Sequence, residues 1–318
     1  MRLLLSFFLF ATWMFADAHI LIYHRFGDDR YPSTNISLQN LREQFKYFNE
    51  NGYEIVPLKK LIQKVKNSEY IPDNWLVLTI DDGYKSFYKN GFPIFKEFGY
   101  PFTLFVYVEA SQKKYGDYMS FDDIKDVQNW GAEIGYHSYS HKYMTYLNES
   151  EIKDDFEKGI QIFEHNLGYK PQYFSYPYGE YNQTITNMAK EYGLEASFNQ
   201  NSGAVSASSS IGDLDRIPSM DGTNLKAMLS SRYLKADFIQ PLTYPSNSIL
   251  DNVIAKIDSN STSAQLYISG LGSMRVDVSD GIIDVNISKK LTKRRVRVII
   301  NDGHKTTTQM IIKDKNVR

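Results

Sequence analysis

The chain has 318 residues, 42% of them apolar and 23% charged, the size and balance of a globular protein with one large and one small domain rather than a disordered or fibrous chain. A net charge of -1 gives no indication of a nucleic-acid partner or an anionic membrane surface. There is no cysteine, so stability rests on the core and not on disulfides.

The first element reads as a targeting signal. Arg2 gives a positive start, residues 3–15 are almost wholly apolar, and Ala16-Asp17-Ala18 fits a small-x-small cleavage site. The apolar stretch falls short of the roughly 20 residues of a membrane span. Residues 1–18 are therefore expected to be a signal peptide cleaved after Ala18, with His19 as the mature terminus. The protein would be exported, periplasmic or secreted, with no transmembrane span. An uncleaved anchor or a buried amino-terminal helix is the other reading.

Residues 20–23 read as the first strand. Leu38, Leu41, Phe45 and Phe48 recur at helical spacing across 38–51, closed by Gly52. A strand at 53–56 and a helix at 58–65 precede a buried strand at 76–80. A helix at 84–98 closed by Gly99, a strand at 103–108, a helix at 121–129 and a strand at 133–136 follow. A long helix at 149–167, capped by Asn148 or Ser150, ends at Gly168. A strand at 173–176, a helix at 182–192 and a strand at 196–198 complete the series. This alternation predicts the α/β class, with a largely parallel sheet or barrel and its chemistry at the carboxyl ends of the strands.

Residues 199–215, rich in Asn, Ser, Gly and Ala, read as a surface loop. Beyond about residue 235 six short strands are expected, at 253–257, 264–269, 275–278, 282–287, 294–300 and 306–312. They predict a small β-sandwich domain of unassigned role at 235–318, after a main domain at 19–234. The basic run from Lys289 and Lys290 to Lys293, Arg294, Arg295 and Arg297 reads as a solvated strand face, or else as a contact for an anionic polymer. The 24 tyrosines suit stacking on sugar rings and half-buried packing alike.

Asp81 and Asp82 are adjacent at the end of the apolar run 76–80, and Gly83 follows at once. Neighbouring carboxylates repel, and burial adds to the cost. A metal ion relieves it by taking one as a ligand and leaving the other to handle protons. Candidates for the missing ligands are His137 and His141, whose spacing places both imidazoles on one face of a helical turn. Such a pair alone is more often chance. Joined to Asp81-Asp82-Gly83 it points to two histidines and one carboxylate, with positions left open for water and substrate. A divalent ion there lowers the pKa of its water and polarises a carbonyl, and a free carboxylate beside it serves as general base.

Thr79-Ile80-Asp81-Asp82-Gly83 and His137-Ser138-Tyr139-Ser140-His141 resemble the first two motifs of the polysaccharide deacetylases, the NodB-homology domain or carbohydrate esterase family four. The resemblance covers roughly residues 20 to 220. It implies a distorted (β/α) barrel of fewer than eight strands. It also implies Asp81 as catalytic base, and Asp82, His137 and His141 as ligands of a divalent metal. Zinc is the default, with cobalt, nickel or iron as alternatives. Pro177-Tyr178-Gly179 matches the third motif, with the Tyr178 N–H implied in holding the oxyanion, but Ser175 stands where the family has an arginine beside its base. Arg216 is the candidate to supply that charge, with a surface role as the alternative. The family's last motif, which carries a histidine as general acid, has no match.

His24, in Ile22-Tyr23-His24-Arg25-Phe26, is the candidate acid. It resembles the Tyr-His signature of a subgroup that includes poly-N-acetylglucosamine deacetylases. A histidine that only orders the first loop is the other reading. The resemblance implies a hydrolase that removes N-acetyl groups from an exported polysaccharide or peptidoglycan, using a metal-held water. An O-acetyl esterase and a glycan-binding module that keeps the metal site are the alternatives.

Overall fold

In the computed structural model, which describes residues 17–313, parallel strands pair in the order Ile217–Pro218, His19–Tyr23, Trp75–Ile80, Thr103–Val106, Glu133–Tyr136, Tyr173–Ser175 and Ala196–Phe198. Glu54–Ile55 also pairs with Trp75–Ile80. The central strands are buried throughout, as HILIY and WLVLTI, which a sheet covered on both faces requires. Alternate side chains of these strands enter two separate cores. Leu21 and Leu78 pack with Phe45 and Phe95, while Ile20 and Val77 pack with Leu61 and Phe198. The α/β class expected from the sequence is the observed one.

The sheet is an incomplete barrel. Between its edge strands Phe198 pairs with Leu214, and the Arg216 N–H donates to Asn201 O at 3.1 Å. Segment 199–215, expected at the surface, is irregular but largely internal, with Asn199, Asn201, Val205, Ser206 and Leu214 buried. Its polar groups find partners inside the protein. The Asn199 side chain donates to Asp213 Oδ1 and Asp215 Oδ1, and its carbonyl accepts from Arg216.

The helix Leu38–Glu50 is capped by Ser37 and buries Leu41, Phe45 and Phe48. Glu149–Leu167 begins with a capping box between Asn148 and Glu151. The helix expected at 84–98 is instead a π-turn, Phe87–Gly91, running into Phe92–Phe98. Pro93 has no N–H to continue the ordinary ladder, and the Phe92 N–H reaches back five residues to Phe87 O.

From Arg232 onward the chain forms a five-stranded sheet (Arg232–Tyr233, Lys305–Ile312, Arg295–Asn301, Ser263–Ile268, Gly272–Asp277) and a three-stranded one (Ala236–Gln240, Ile249–Ile257, Ile282–Lys290). The two enclose a core of Leu250, Val253, Leu266 and Val298, consistent with a small β-sandwich. Arg232–Tyr233 and Ala236–Gln240 went unread in the sequence because neither has a fully buried residue.

Of the expected signal peptide, residues 1–16 lie outside the described residues. Asp17 and Ala18 are built into the fold. Ala18 exchanges backbone hydrogen bonds with Val205 at 2.9 and 2.8 Å, and Asp17 Oδ2 accepts from the Tyr233 N–H at 2.8 Å. His19 is buried, with Nε2 2.9 Å from Ser231 O. A chain beginning at His19 would lack the Val205 and Tyr233 contacts. No helix among the described residues is long and apolar enough to cross a membrane.

Candidate metal centre

Asp81 continues the strand Trp75–Ile80, its N–H donating to Tyr23 O at 2.9 Å. At Asp82 the chain turns sharply. Asp82 and Gly83 are both left-handed, with φ of 69° and 73°, which costs a residue with a side chain about 1–2 kcal/mol. His137 and His141 are not on a helical turn, as their spacing suggested. The chain there is irregular, with Ser138 and His141 at φ of 63° and 49°. Buried Asp155 imposes this shape, because its carboxylate accepts from the Tyr139 N–H, the Ser140 N–H and the Ser140 hydroxyl at 2.8, 2.9 and 2.6 Å. Ser138 Oγ accepts from the His141 N–H at 2.8 Å.

The loop brings three ligand atoms together. His141 Nε2 is 3.0 Å and His137 Nε2 3.3 Å from Asp82 Oδ1, and the two nitrogens are 3.1 Å apart. Ligands about 2.0–2.1 Å from a tetrahedral ion lie about 3.3 Å from one another, so the triangle has the size of one face of such a site. Asp82 Oδ1 is buried and has no hydrogen-bond donor among the described residues, which also fits a cation. His137 Nδ1 is 2.7 Å from Ser175 O. That bond places the proton on Nδ1 and leaves the Nε2 lone pair facing Asp82. Burial would raise the Asp82 pKa, but its two imidazole neighbours hold it well below the ordinary carboxylate range, and an ion between them would act with the same sign.

Asp81 has a different partner. Arg216, fully buried, donates from Nη1 to Asp81 Oδ1 and from Nη2 to Asp81 Oδ2, both at 2.8 Å. Its other bonds reach Asn199 O from Nε, Thr79 Oγ1 from Nη1 and Ser175 Oγ from Nη2. The Ser175 hydroxyl in turn donates to Asp81 Oδ2 at 2.8 Å. Ser175 stands in the third-motif position where an arginine was expected, and Arg216 reaches the same carboxylate from another strand end. Burial pushes the Asp81 pKa up, and the Arg216 charge outweighs it and holds it below the ordinary value.

Pro177, Tyr178 and Gly179 form the third turn, with Tyr178 and Gly179 left-handed at φ of 59° and 68°. A Cβ on Gly179 would lie 2.6 Å from Gln200 Cβ, so this position demands glycine. The Tyr178 ring lies 4.8 Å from the His141 ring.

Residues 70–197 match the sequence model of the polysaccharide deacetylase family. Over these residues the chain is similar to the polysaccharide deacetylases. YxkH of Bacillus subtilis (strain 168) is 22% identical over 219 residues, covering 68% of this chain and 77% of that protein. The poly-beta-1,6-N-acetyl-D-glucosamine N-deacetylase of Escherichia coli (strain K12) is 27% identical over 233 residues, 60% of this chain and 34% of that protein, so the chain spans about a third of its length. The structure of IcaB from Ammonifex degensii has the same fold, with a TM-score of 0.62, 24% identity, and coverage of 67% of this chain and 96% of that one.

Near the cluster of Asp82, His137 and His141, His24 stands just past His19–Tyr23. Burial lowers its pKa, against the opposing charges of Asp82 and Asp81. The second domain also reaches the centre, and here the basic run departs from a solvated strand face. Arg294 donates to the buried carboxylate of Glu180, and Arg295 Nη1 donates to Tyr178 O at 2.9 Å. Arg297 Nε donates to Asn201 Oδ1 at 2.8 Å. Three of the basic residues therefore dock the sandwich against the third-motif turn and the bridging segment. Sequence reasoning missed Asp155 and Glu180. Asp155 had a legible signal, as an acid among Ile152, Phe156 and Ile160 on the apolar face of its helix. Glu180 had none.

Proposed function

We propose that the protein is a metal-dependent hydrolase that removes N-acetyl groups from an exported polysaccharide of the N-acetylglucosamine type. The observation that carries this reading is the contrast between two adjacent carboxylates, Asp81 clamped by Arg216 and Asp82 grouped with two imidazole nitrogens. The name of the Escherichia coli relative supports the polymer class.

Asp82, His137 and His141 would hold a divalent ion, which when bound polarises the acetamide carbonyl and acidifies a water. Asp81, kept ionised by Arg216, takes the proton of the attacking water. The Tyr178 N–H donates to the oxyanion as it develops. His24 protonates the leaving amine. Its lowered pKa makes the protonated ring a stronger acid than a free imidazolium, formed as the proton taken up by Asp81 is passed on.

Acetate release from N-acetylated and O-acetylated glycans, by metal-stripped and metal-restored protein, tests this. The reading expects release from the N-acetylated glycan that returns with metal. Release from the O-acetylated glycan alone would overturn it.

A further inference from the structure

Beside the metal centre lies a cavity of about 400 Å³ whose walls come from both domains: Tyr143, Tyr178 and Glu180 on one side, and Lys293, Arg294 and Arg295 on the other. Tyr178 joins it to the centre, since its ring lies against His141 and also stacks on Tyr143 at 3.8 Å and 12°. Tyr143 is still 40% exposed, and Tyr146 beside it 38%. The Arg294 guanidinium lies over both rings, at 5.0 and 4.5 Å, so the parts they leave open to water are mainly ring edges, which next to a reaction centre suit an apolar contact with a sugar. The charge of the wall is one-sided. Three cations face one carboxylate, and Glu180 is already engaged by Arg294 and Arg295. Lys293 is exposed and has no ion-pair partner among the described residues.

We propose that this cavity is a subsite for the sugar next to the one being deacetylated, and that its positive wall favours an N-acetylated neighbour over one bearing an ammonium group. The proposal rests on the deacetylase reading for the identity of the glycan. The reaction converts a neutral acetamide into an amine that protonates, so each turnover makes the product a poorer occupant of the subsite. Deacetylated sugars would then be spaced along the polymer. Two like charges about 7 Å apart in water alter binding by about threefold, so a net excess of two cations corresponds to about tenfold.

The test uses two probes: a fully acetylated N-acetylglucosamine oligomer, and the same oligomer with one glucosamine beside the reacting residue. Their Kd values are measured on metal-stripped protein, so that nothing turns over, and their acetate release on metal-restored protein. The acetylated oligomer should bind about tenfold more tightly at low salt, with the ratio shrinking at high salt. Lys293→Gln should reduce the ratio and Lys293→Glu should bring it near one, without loss of folded protein. Equal binding of both oligomers, or a ratio unmoved by Lys293→Glu, overturns the subsite. An intact Kd ratio without acetate release from either oligomer upholds the subsite and counts against the deacetylase reading alone.

Discussion

Asp81 has both carboxylate oxygens met by Arg216 and Ser175, whereas Asp82 leaves Oδ1 without a donor and with two imidazole nitrogens aimed at it. The two residues are adjacent and both are buried. What separates them is the source of the compensating charge. On the proposed reading, a protein cation fixed in place keeps Asp81 ionised and ready to act as base, and a cation that must come from solution would make Asp82 its ligand. Asp213 gives a third setting. It has neutral partners, Asn199 and Tyr181, and burial pushes its pKa up to about 6.

The sharpest way to break this comparison is to remove the fixed cation. Arg216→Met leaves a buried carboxylate unpaired, a loss of about 3–5 kcal/mol in unfolding measurements. It should also raise the Asp81 pKa, moving the acid limb of the rate profile to higher pH. An unmoved limb would separate Asp81 from the base role. On the other side of the comparison, Asp155→Asn loosens the loop that carries both histidines and should weaken metal affinity by about 10–100-fold, read by titration with the ion. Arg295→Ala frees the Tyr178 carbonyl and should lower kcat by about tenfold with metal content unchanged.

Asp213→Asn has the smallest effect and is read through pH. The folded-state pKa is raised, so the protonated acid's contribution is full below about 3.8 and is lost as pH rises through about 6. The variant should leave the thermal midpoint unchanged near pH 4 and raise it by about 2–4 °C near pH 8.

The parts written in local pattern were legible in the sequence. Unbroken apolar runs marked the strands around Leu21 and Leu78, and Asp81-Asp82-Gly83 with His137 and His141 marked the centre. The fold of the histidine loop was not legible, because it depends on Asp155 from a helix one element later. Arg216 could be named as a candidate from charge alone, but its five-donor bonding depends on four separate segments meeting. The arginines of the second domain looked like a solvated strand face. Their partners, the Tyr178 carbonyl and Glu180, are more than a hundred residues away in sequence and form no pattern with them.

The most direct test sets Asp81→Asn beside Asp82→Asn, with bound metal and acetate release measured on each. The account predicts that Asp81→Asn keeps a full complement of metal and releases almost no acetate, while Asp82→Asn loses the metal itself. Substantial acetate release by Asp81→Asn, or metal held by Asp82→Asn as tightly as by the parent chain, would contradict it.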